Sequence, residues 1–128
     1  FADKGLFELS AFSLEYNKDS VIHQVKKIIG NYPGLQFFQL LSKHQSNTIF
    51  YPENDVLFLN SNSLNELSNR IHSCKVLITL NSGTHALAAA VQRFGNKFEH
   101  YCLLPKKDYG WIIESKKFVF PNINYIEC

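Results

Sequence analysis

A short run of polar residues, Asn81-Ser82-Gly83-Thr84, is the part of this sequence best suited to bind a charged ligand. It follows an apolar, β-branched run and comes directly before an alanine-rich helical pattern that begins at His85. Free backbone amides and the positive end of the helix dipole favour an anion at such a position. Gly83 would let the backbone approach an oxygen closely, while Ser82, Thr84 and His85 add hydrogen-bond donors. The pattern therefore indicates a phosphate-binding turn.

The same residues also have a purely structural interpretation. Ser82 or Thr84 could cap the following helix, and Gly83 could simply make the turn. The turn is neither a P-loop nor a G-x-G-x-x-G sequence, so those motifs do not support ATP or NAD binding here. On the turn alone, the ligand-binding and the capping interpretations both stay open.

Strand-like and helix-like patterns alternate along the chain and must position this turn. Strands are expected at 6–14, 35–41, 75–80, 99–104 and 124–128, with a short extended piece at 48–51 and a short apolar run at 56–59, and helices are expected at 21–29, 64–71, 85–94 and 108–115. Most of the connections are too long for hairpins, which favours a parallel sheet with helices on both faces. Residues 1–128 are therefore predicted to form one α/β domain, a Rossmann-like three-layer α/β/α sandwich with a mainly parallel sheet.

Capping residues predict where the first two helices begin and end. Asp19 or Ser20 can cap the first helix, and Gly30 can end it in the left-handed conformation. The second helix starts with the capping box Ser63-Leu64-Asn65-Glu66, in which the Ser63 hydroxyl and the Glu66 carboxylate satisfy free amides reciprocally. Its buried stripe is expected to consist of Leu64, Leu67 and Ile71.

Composition limits the classes of protein that this chain can belong to. A chain of 128 residues with 45% hydrophobic and 19% charged residues is typical of one folded domain rather than a disordered or fibrous protein. The net charge of +2 is too small to indicate a nucleic-acid partner. No apolar run approaches the ~20 residues of a transmembrane segment. Because the chain starts at Phe1 and lacks methionine, we expect it to be part of a longer protein.

The remaining reactive residues do not form an obvious catalytic or metal site. Cys74, Cys102 and Cys128 lack metal-ligand or disulfide spacing, which favours a reducing, cytoplasmic location, and Cys102 is expected to be a buried apolar residue. Several other residues are assigned no chemistry. Glu8 and Glu15 flank the first loop, and His23 and His72 are expected at surface or boundary positions. His44 and His100 are expected at loop or edge positions without partners, and Trp111 is expected either to pack or to stack on a ligand.

The stretch from Ser63 to Val91 resembles the C-terminal half of heptosyltransferase-like glycosyltransferases of the GT-B class. In that family a helix beginning with Ser-Leu feeds a strand, followed by an Asp/Asn-Ser/Thr-Gly turn and an Ala-rich helix with a nearby histidine. Here His85 follows Gly83 after one residue, where the family usually has two. The resemblance also places Lys18 in the first βα loop, where the family has a basic residue that meets the phosphates of the sugar nucleotide.

The resemblance implies a domain that binds the nucleoside diphosphate of an activated sugar, for a glycosyltransferase of bacterial surface polysaccharide or lipopolysaccharide. Its binding residues would be Lys18, Asn81, Ser82, Gly83, Thr84 and His85. It implies no metal or other cofactor, and it leaves the catalytic base unassigned. The acceptor site would lie in a missing N-terminal domain, and any peripheral contact with the inner membrane would come from the rest of the protein. The alternative is a non-catalytic Rossmann-like interaction or regulatory domain.

Overall fold

A computed structural model describes residues 3–11, 16–42, 47–53, 56–92, 98–116 and 119–128. In these residues the chain forms strands and helices in the order β1 (Lys4–Glu8), α1 (Lys18–Gly30), β2 (Gln36–Ser42), β3 (Leu57–Ser61), α2 (Leu64–Ser73), β4 (Val76–Leu80), α3 (Gly83–Gln92), β5 (Glu99–Leu104), α4 (Lys106–Ser115) and β6 (Asn124–Glu127). No helix in this part of the chain is long and apolar enough to cross a membrane.

All six described strands run parallel in one sheet, in the order β3-β2-β1-β4-β5-β6. The chain builds outward from β1 to β3 and then returns across β1, so that β4 pairs with the other side of β1. Leu6 at the centre of the sheet is level with Phe38 on β2 and Leu77 on β4. The predicted α/β class and Rossmann-like fold with a parallel sheet are confirmed.

Two cores cover the two faces of the sheet. On one face α1 and the segment before β3 pack on the sheet through Phe7, Val21, Val25, Ile28, Tyr51, Ile78 and Leu80. On the other face α2 and α3 pack through Leu6, Leu40, Ile71, Leu77, Ala88 and Val91, and α4 covers β5 through Ile112. Alternate residues of β1 point to opposite faces, so Leu6 and Phe7 enter different cores. The three predicted layers follow from this alternation.

Several predicted boundaries and caps need correction. The first strand ends at Glu8, and α1 is capped by Asn17, whose side chain accepts a hydrogen bond from the Ser20 amide at 3.0 Å. Asp19 and Ser20 are therefore helical residues rather than caps. Gly30 does not end α1 in the left-handed conformation, since the cap Asn31 has a φ of −80°.

The second and third helices also differ in detail from the predictions. Ser63 caps α2 by accepting the Glu66 amide proton at 3.1 Å, as predicted, but the Glu66 carboxylate pairs with Arg70 at 2.6 Å. Leu64 is 68% exposed and does not belong to the buried stripe, which keeps Leu67 and Ile71. The third helix begins two residues before His85, at Gly83.

The last two predicted strands, the 48–51 segment and two predicted ends have different outcomes. Residues 99–104 form β5 as predicted, and the 124–128 segment forms β6 at one edge of the sheet. In the extended piece predicted at 48–51, Thr48 forms an isolated bridge with Ser10, and the Ile49 amide donates to the Leu9 carbonyl. The predicted ends of the first strand and the third helix, at 14 and 94, lie outside the described residues, as do Glu15 and His44.

Candidate functional site

The strand order reverses between β1 and β4, and this reversal creates a crevice at the carboxyl edge of the sheet. The last residue of β1, Glu8, is level with Thr79, which is followed by the end of β4 at Leu80. From β1 the chain turns toward α1, and from β4 it turns toward α3 on the opposite face. Ligands of open parallel sheets bind outside the strands at such a point. The crevice is therefore the candidate site.

A cavity of about 220 Å³ lies at this edge. Its described lining comes from the segments after β1 and β2, the start of α1 and the end of β4: Ala11, Tyr16, Lys18, Asn47, Thr48, Ile49 and Leu80. Lys18 is the cation among these lining residues and is exposed at the first position of α1. The cavity is therefore walled by apolar, hydroxyl and amide residues and carries a positive charge at its rim.

Glu8 places a buried carboxyl group next to this edge, with 2% of the residue exposed. One oxygen accepts the Ser10 amide proton at 2.9 Å, and the other accepts the Ser82 hydroxyl at 3.4 Å. The side chains of Ser10 and Thr84 also hydrogen-bond to it. Burial raises the pKa of Glu8, while these hydrogen bonds oppose the rise by stabilising the carboxylate. We call Glu8, Ser10, Thr48, Ser82 and Thr84 the Glu8 cluster.

Ser10 and Thr48 connect Glu8 to the wall of the cavity. Their hydroxyl oxygens are 2.9 Å apart, and an antiparallel bridge joins the two residues. The amide of Ile49 also donates to the Leu9 carbonyl at 2.9 Å, which holds this segment against the end of β1. The buried carboxyl group and the cavity are thus linked through two hydroxyl groups.

Tyr16 fixes the entrance to α1 against the ends of two strands. Its hydroxyl donates to the Leu103 carbonyl at 2.7 Å and accepts the Asn81 amide proton at 2.8 Å. Burial raises the pKa of Tyr16, so the phenol keeps its proton at neutral pH. Asn81, a predicted site residue, is held in place by this bond to its backbone.

The turn after β4 leads into α3 and places two hydroxyl side chains next to Glu8. Ser82 is half-buried and directly precedes the first residue of α3. Its carbonyl accepts the Ala86 amide proton at 3.3 Å, the first hydrogen bond of that helix. Gly83 is exposed, and a Cβ atom added there would meet no other atom within 4 Å. Thr84 is buried and bonds to Glu8. The structure therefore brings Ser82 and Thr84 together around a carboxyl group.

His85, another predicted site residue, points away from that carboxyl group. It is 1% exposed, and its Nε2 lies 2.8 Å from the Tyr125 hydroxyl. Its ring packs edge-on against Phe120 and Tyr125, with centroids 5.2 Å and 5.5 Å away. Burial lowers the pKa of His85 to about 4. The structure places the ring in the layer between α3 and β6, apart from the described lining of the cavity.

His100 is a buried strand residue, so its assignment to a partnerless loop or edge position was wrong. It lies in β5, fully buried, with Nε2 2.8 Å from the Thr79 hydroxyl. Its Nδ1 has no hydrogen-bond partner in the described part of the chain. Burial, with a smaller contribution from His85, lowers the pKa of His100 to about 3. We call His85, His100, Phe120 and Tyr125 the histidine cluster.

The other candidate residues carry no site in the described part of the chain. Cys102 is fully buried, which confirms its apolar role, and burial raises its pKa to about 12. The side chain of Trp111 is exposed on α4, and its indole N–H donates to Asp108 at 3.0 Å. No group of three or more His, Cys, Asp or Glu residues capable of holding a metal ion occurs among the described residues.

The sequence could not reveal Glu8 or Tyr16 as members of the site. Glu8 ends an apolar stretch and resembles any strand-end carboxylate, and Tyr16 stands among polar residues typical of a loop. Their importance comes from partners 65 or more positions away, Asn81 and Ser82. A glutamate at the end of a central strand was the one available signal.

The fold provides a crevice and a cavity at the carboxyl edge of the sheet, the edge at which open parallel sheets bind ligands. The resemblance of residues 63–91 to glycosyltransferases therefore remains a prediction. Comparison with known proteins does not identify a family, since no protein-family model, no curated protein and no solved structure matches this chain.

Proposed function

We propose that this chain is the nucleotide-sugar-binding domain of a glycosyltransferase. It would hold the nucleoside diphosphate of the donor in the crevice between the ends of β1 and β4. The acceptor site and the catalytic base would belong to another domain facing the same crevice. Bacterial surface polysaccharide or lipopolysaccharide is the proposed class of product.

The observation that carries this proposal is the cavity at the reversal of strand order, with Lys18 on its rim. A lysine ammonium can neutralise a phosphate and donate hydrogen bonds to its oxygens. Lys18 is also the first residue of α1, where the positive end of the helix dipole adds to its charge. The leaving diphosphate of a sugar nucleotide gains negative charge during transfer, and such a position would stabilise it electrostatically.

Binding of nucleotides tests the proposal directly. We expect at least one of UDP, GDP, ADP and CMP to bind in isothermal titration calorimetry. The variant Lys18→Gln should weaken that binding about tenfold, because a charge-assisted hydrogen bond is lost. Lys27→Gln is the matched control, since Lys27 is an exposed lysine at the other end of the same helix.

Two results would count against the proposal. If none of the four nucleotides binds, the site is not a nucleotide site of this kind. If Lys18→Gln and Lys27→Gln weaken binding equally, the effect is one of overall charge, and the cavity at Lys18 is not where the phosphates lie.

A second candidate function is a non-catalytic interaction or regulatory domain. It is favoured by the observation that the Ser82 and Thr84 side chains already bond to Glu8 within the protein. In that case the double variant Ser82→Ala/Thr84→Ala should lower the free energy of unfolding by about 1 kcal/mol without any effect on a ligand. Lost nucleotide affinity at unchanged stability would instead support the binding domain.

A further inference from the structure

Exposed apolar side chains are concentrated at one edge of the sheet. The most exposed large apolar residues in the described part of the chain are Phe50, Leu57, Phe58, Leu64 and Trp111. Leu57 and Phe58 begin the edge strand β3, and the Phe50 ring packs edge-on against that of Phe58, with centroids 6.0 Å apart. Grouped apolar side chains mark an interaction surface more often than single ones do. We call Phe50, Leu57 and Phe58 the β3 edge patch.

The β3 edge patch presents side chains on both faces of the sheet. Leu57 is level with Phe38, which packs in the core on the α2 face. Phe58 is the next residue of the strand and therefore points to the α1 face. A helix or a small molecule seated on one face would cover only part of the patch. A strand added beside β3 would contact both faces, so the patch fits a β-strand.

The backbone of β3 favours the same kind of partner. Among the described strands, β3 pairs with β2 alone, so its outer side is an open sheet edge. Such an edge is a template for another strand, and folded monomers commonly protect it with charged side chains. Residues 56–65 contain no charged residue, whereas β6 at the opposite edge carries Glu127. The β3 edge therefore lacks this protection against pairing.

We propose that β3 pairs antiparallel with β3 of a second copy of this chain, around a twofold axis at Phe58. The two sheets then join into one continuous sheet. A twofold axis brings the same surface of both copies together, so the uncharged residues 56–60 of one copy meet the uncharged residues 56–60 of the other. No charged side chain of these segments is buried without a partner, and this match in charge is why a second copy is the occupant.

Contacts of Arg70 determine where along β3 the axis lies. Arg70 on α2 donates to the Asn60 carbonyl at 2.7 Å and to the Ser61 hydroxyl at 3.1 Å. The last part of β3 is therefore already covered by α2. Phe58 lies nearer the start of the strand, away from these hydrogen bonds, and is the position left for the axis.

An axis at Phe58 matches the side chains of the two copies. The two Phe58 side chains are then directly opposite, with Cβ atoms about 5 Å apart, and each ring keeps its contact with Phe50. On the other face, Leu57 of each copy is opposite Leu59 of the other. Opposed aromatic and apolar pairs stabilise antiparallel strands, so both faces of the edge contribute to the dimer.

Sedimentation of the whole chain by analytical ultracentrifugation tests the proposal. We expect the wild-type protein to form dimers, in a fraction that rises with concentration. Phe58→Lys should weaken dimerisation by about 30-fold, because it removes the central ring and places two ammonium groups opposite each other. Trp111→Lys is the matched control, since Trp111 is 53% exposed on α4 and Phe58 is 48% exposed. It should leave dimerisation unchanged.

Two further measurements separate strand pairing from damage to β3. Phe58→Lys and Phe58→Glu should each be monomeric alone, and their mixture should form a heterodimer because opposite charges then face each other across the axis. Phe50→Lys lies outside β3 and should also weaken dimerisation while it keeps wild-type unfolding in urea. If Phe58→Lys does not fold, Phe50→Lys decides the proposal.

Three results would overturn the proposal. A wild-type chain that is monomeric at about 100 μM leaves the edge to another chain or domain. A dimer that neither Phe58→Lys nor Phe50→Lys weakens, or that Trp111→Lys weakens equally, uses a different surface. If the mixture of folded Phe58→Lys and Phe58→Glu stays monomeric, position 58 does not face itself and the twofold antiparallel pairing is wrong.

Discussion

The Glu8 cluster and the histidine cluster lie on two sides of the same helix start, and they surround buried titratable groups with different kinds of partner. Glu8 is surrounded by hydroxyl groups and an amide, whereas His85 is surrounded by aromatic rings and one phenol. Thr84 and His85 are adjacent in sequence but enter different clusters, because successive residues of a helix point about 100° apart. Only the Glu8 cluster adjoins the cavity, among the described residues.

This difference indicates which buried polar groups are placed to interact with a ligand. In the Glu8 cluster burial favours the neutral acid and several hydrogen-bond donors oppose this, and its hydroxyl chain reaches the cavity at Thr48. In the histidine cluster burial favours the neutral imidazoles, and Phe120 rather than either imidazole lines a separate cavity of about 290 Å³ beside α3. Burial alone therefore does not mark a functional residue. The connection of a buried group to an accessible space is the more informative property.

The largest expected effect concerns the pH dependence of stability. The pKa of His85 is near 4 in the folded protein and near 6.5 when unfolded, so the unfolded chain binds its proton first as pH falls. Stability should therefore fall from pH 6.5 toward pH 4, by on the order of 3 kcal/mol from this residue. The fall should be smaller in His85→Phe, as measured by urea unfolding at a series of pH values.

His100 should contribute to the same fall, since burial lowers its pKa as well. His23→Gln is a suitable control because His23 is exposed on α1. Its unfolding curves should keep the wild-type dependence on pH. If His85→Phe also keeps it, the His85 ring does not stay neutral in the folded protein, and the contrast between the two clusters is lost.

A smaller effect is expected from Tyr125→Phe. The Tyr125 oxygen accepts the Phe120 amide proton at 2.8 Å and lies 2.8 Å from Nε2 of His85. Removing it leaves two partly or fully buried groups without this partner, which should lower the free energy of unfolding by about 2 kcal/mol. Nucleotide affinity should not change, because the histidine cluster is separate from the cavity. A large loss of affinity at intact stability would place this cluster in the site.

Sequence patterns predicted the layers of the fold better than they predicted the site. Continuous apolar runs located β4 and β5, since a strand buried on both faces has apolar residues at successive positions. The turn at Ser82 was recognised because glycine and hydroxyl residues between a strand and a helix are a local pattern. Glu8 was not recognised, because its partners come from the ends of different strands and only the folded sheet brings them together.

His85 illustrates the limit of a motif that is read as a string. It stands next to Thr84, and a sequence pattern gives both residues the same role. In the folded chain α3 already begins at Gly83, so the direction of each side chain is fixed by helical geometry. A helix start two residues earlier than predicted turns the histidine toward Tyr125 and Phe120. The residue at which α3 begins therefore determines which cluster the His85 side chain joins.

A further expected effect has the opposite dependence on pH and concerns Glu8. Burial raises its pKa above 4.5 in the folded protein, so the unfolded chain loses its proton first as pH rises. Wild-type stability should therefore decrease between pH 4.5 and the pKa of folded Glu8, and Glu8→Gln should remove that decrease. The hydrogen bonds from Ser10, Thr84 and Ser82 oppose the effect of burial and therefore reduce this decrease. Glu114→Gln, which changes an exposed carboxylate on α4, should behave as the wild type does. Subtracting the Glu8→Gln unfolding free energy from that of the wild type at each pH isolates this group, and a difference that rises with pH would show that the hydroxyl groups outweigh burial.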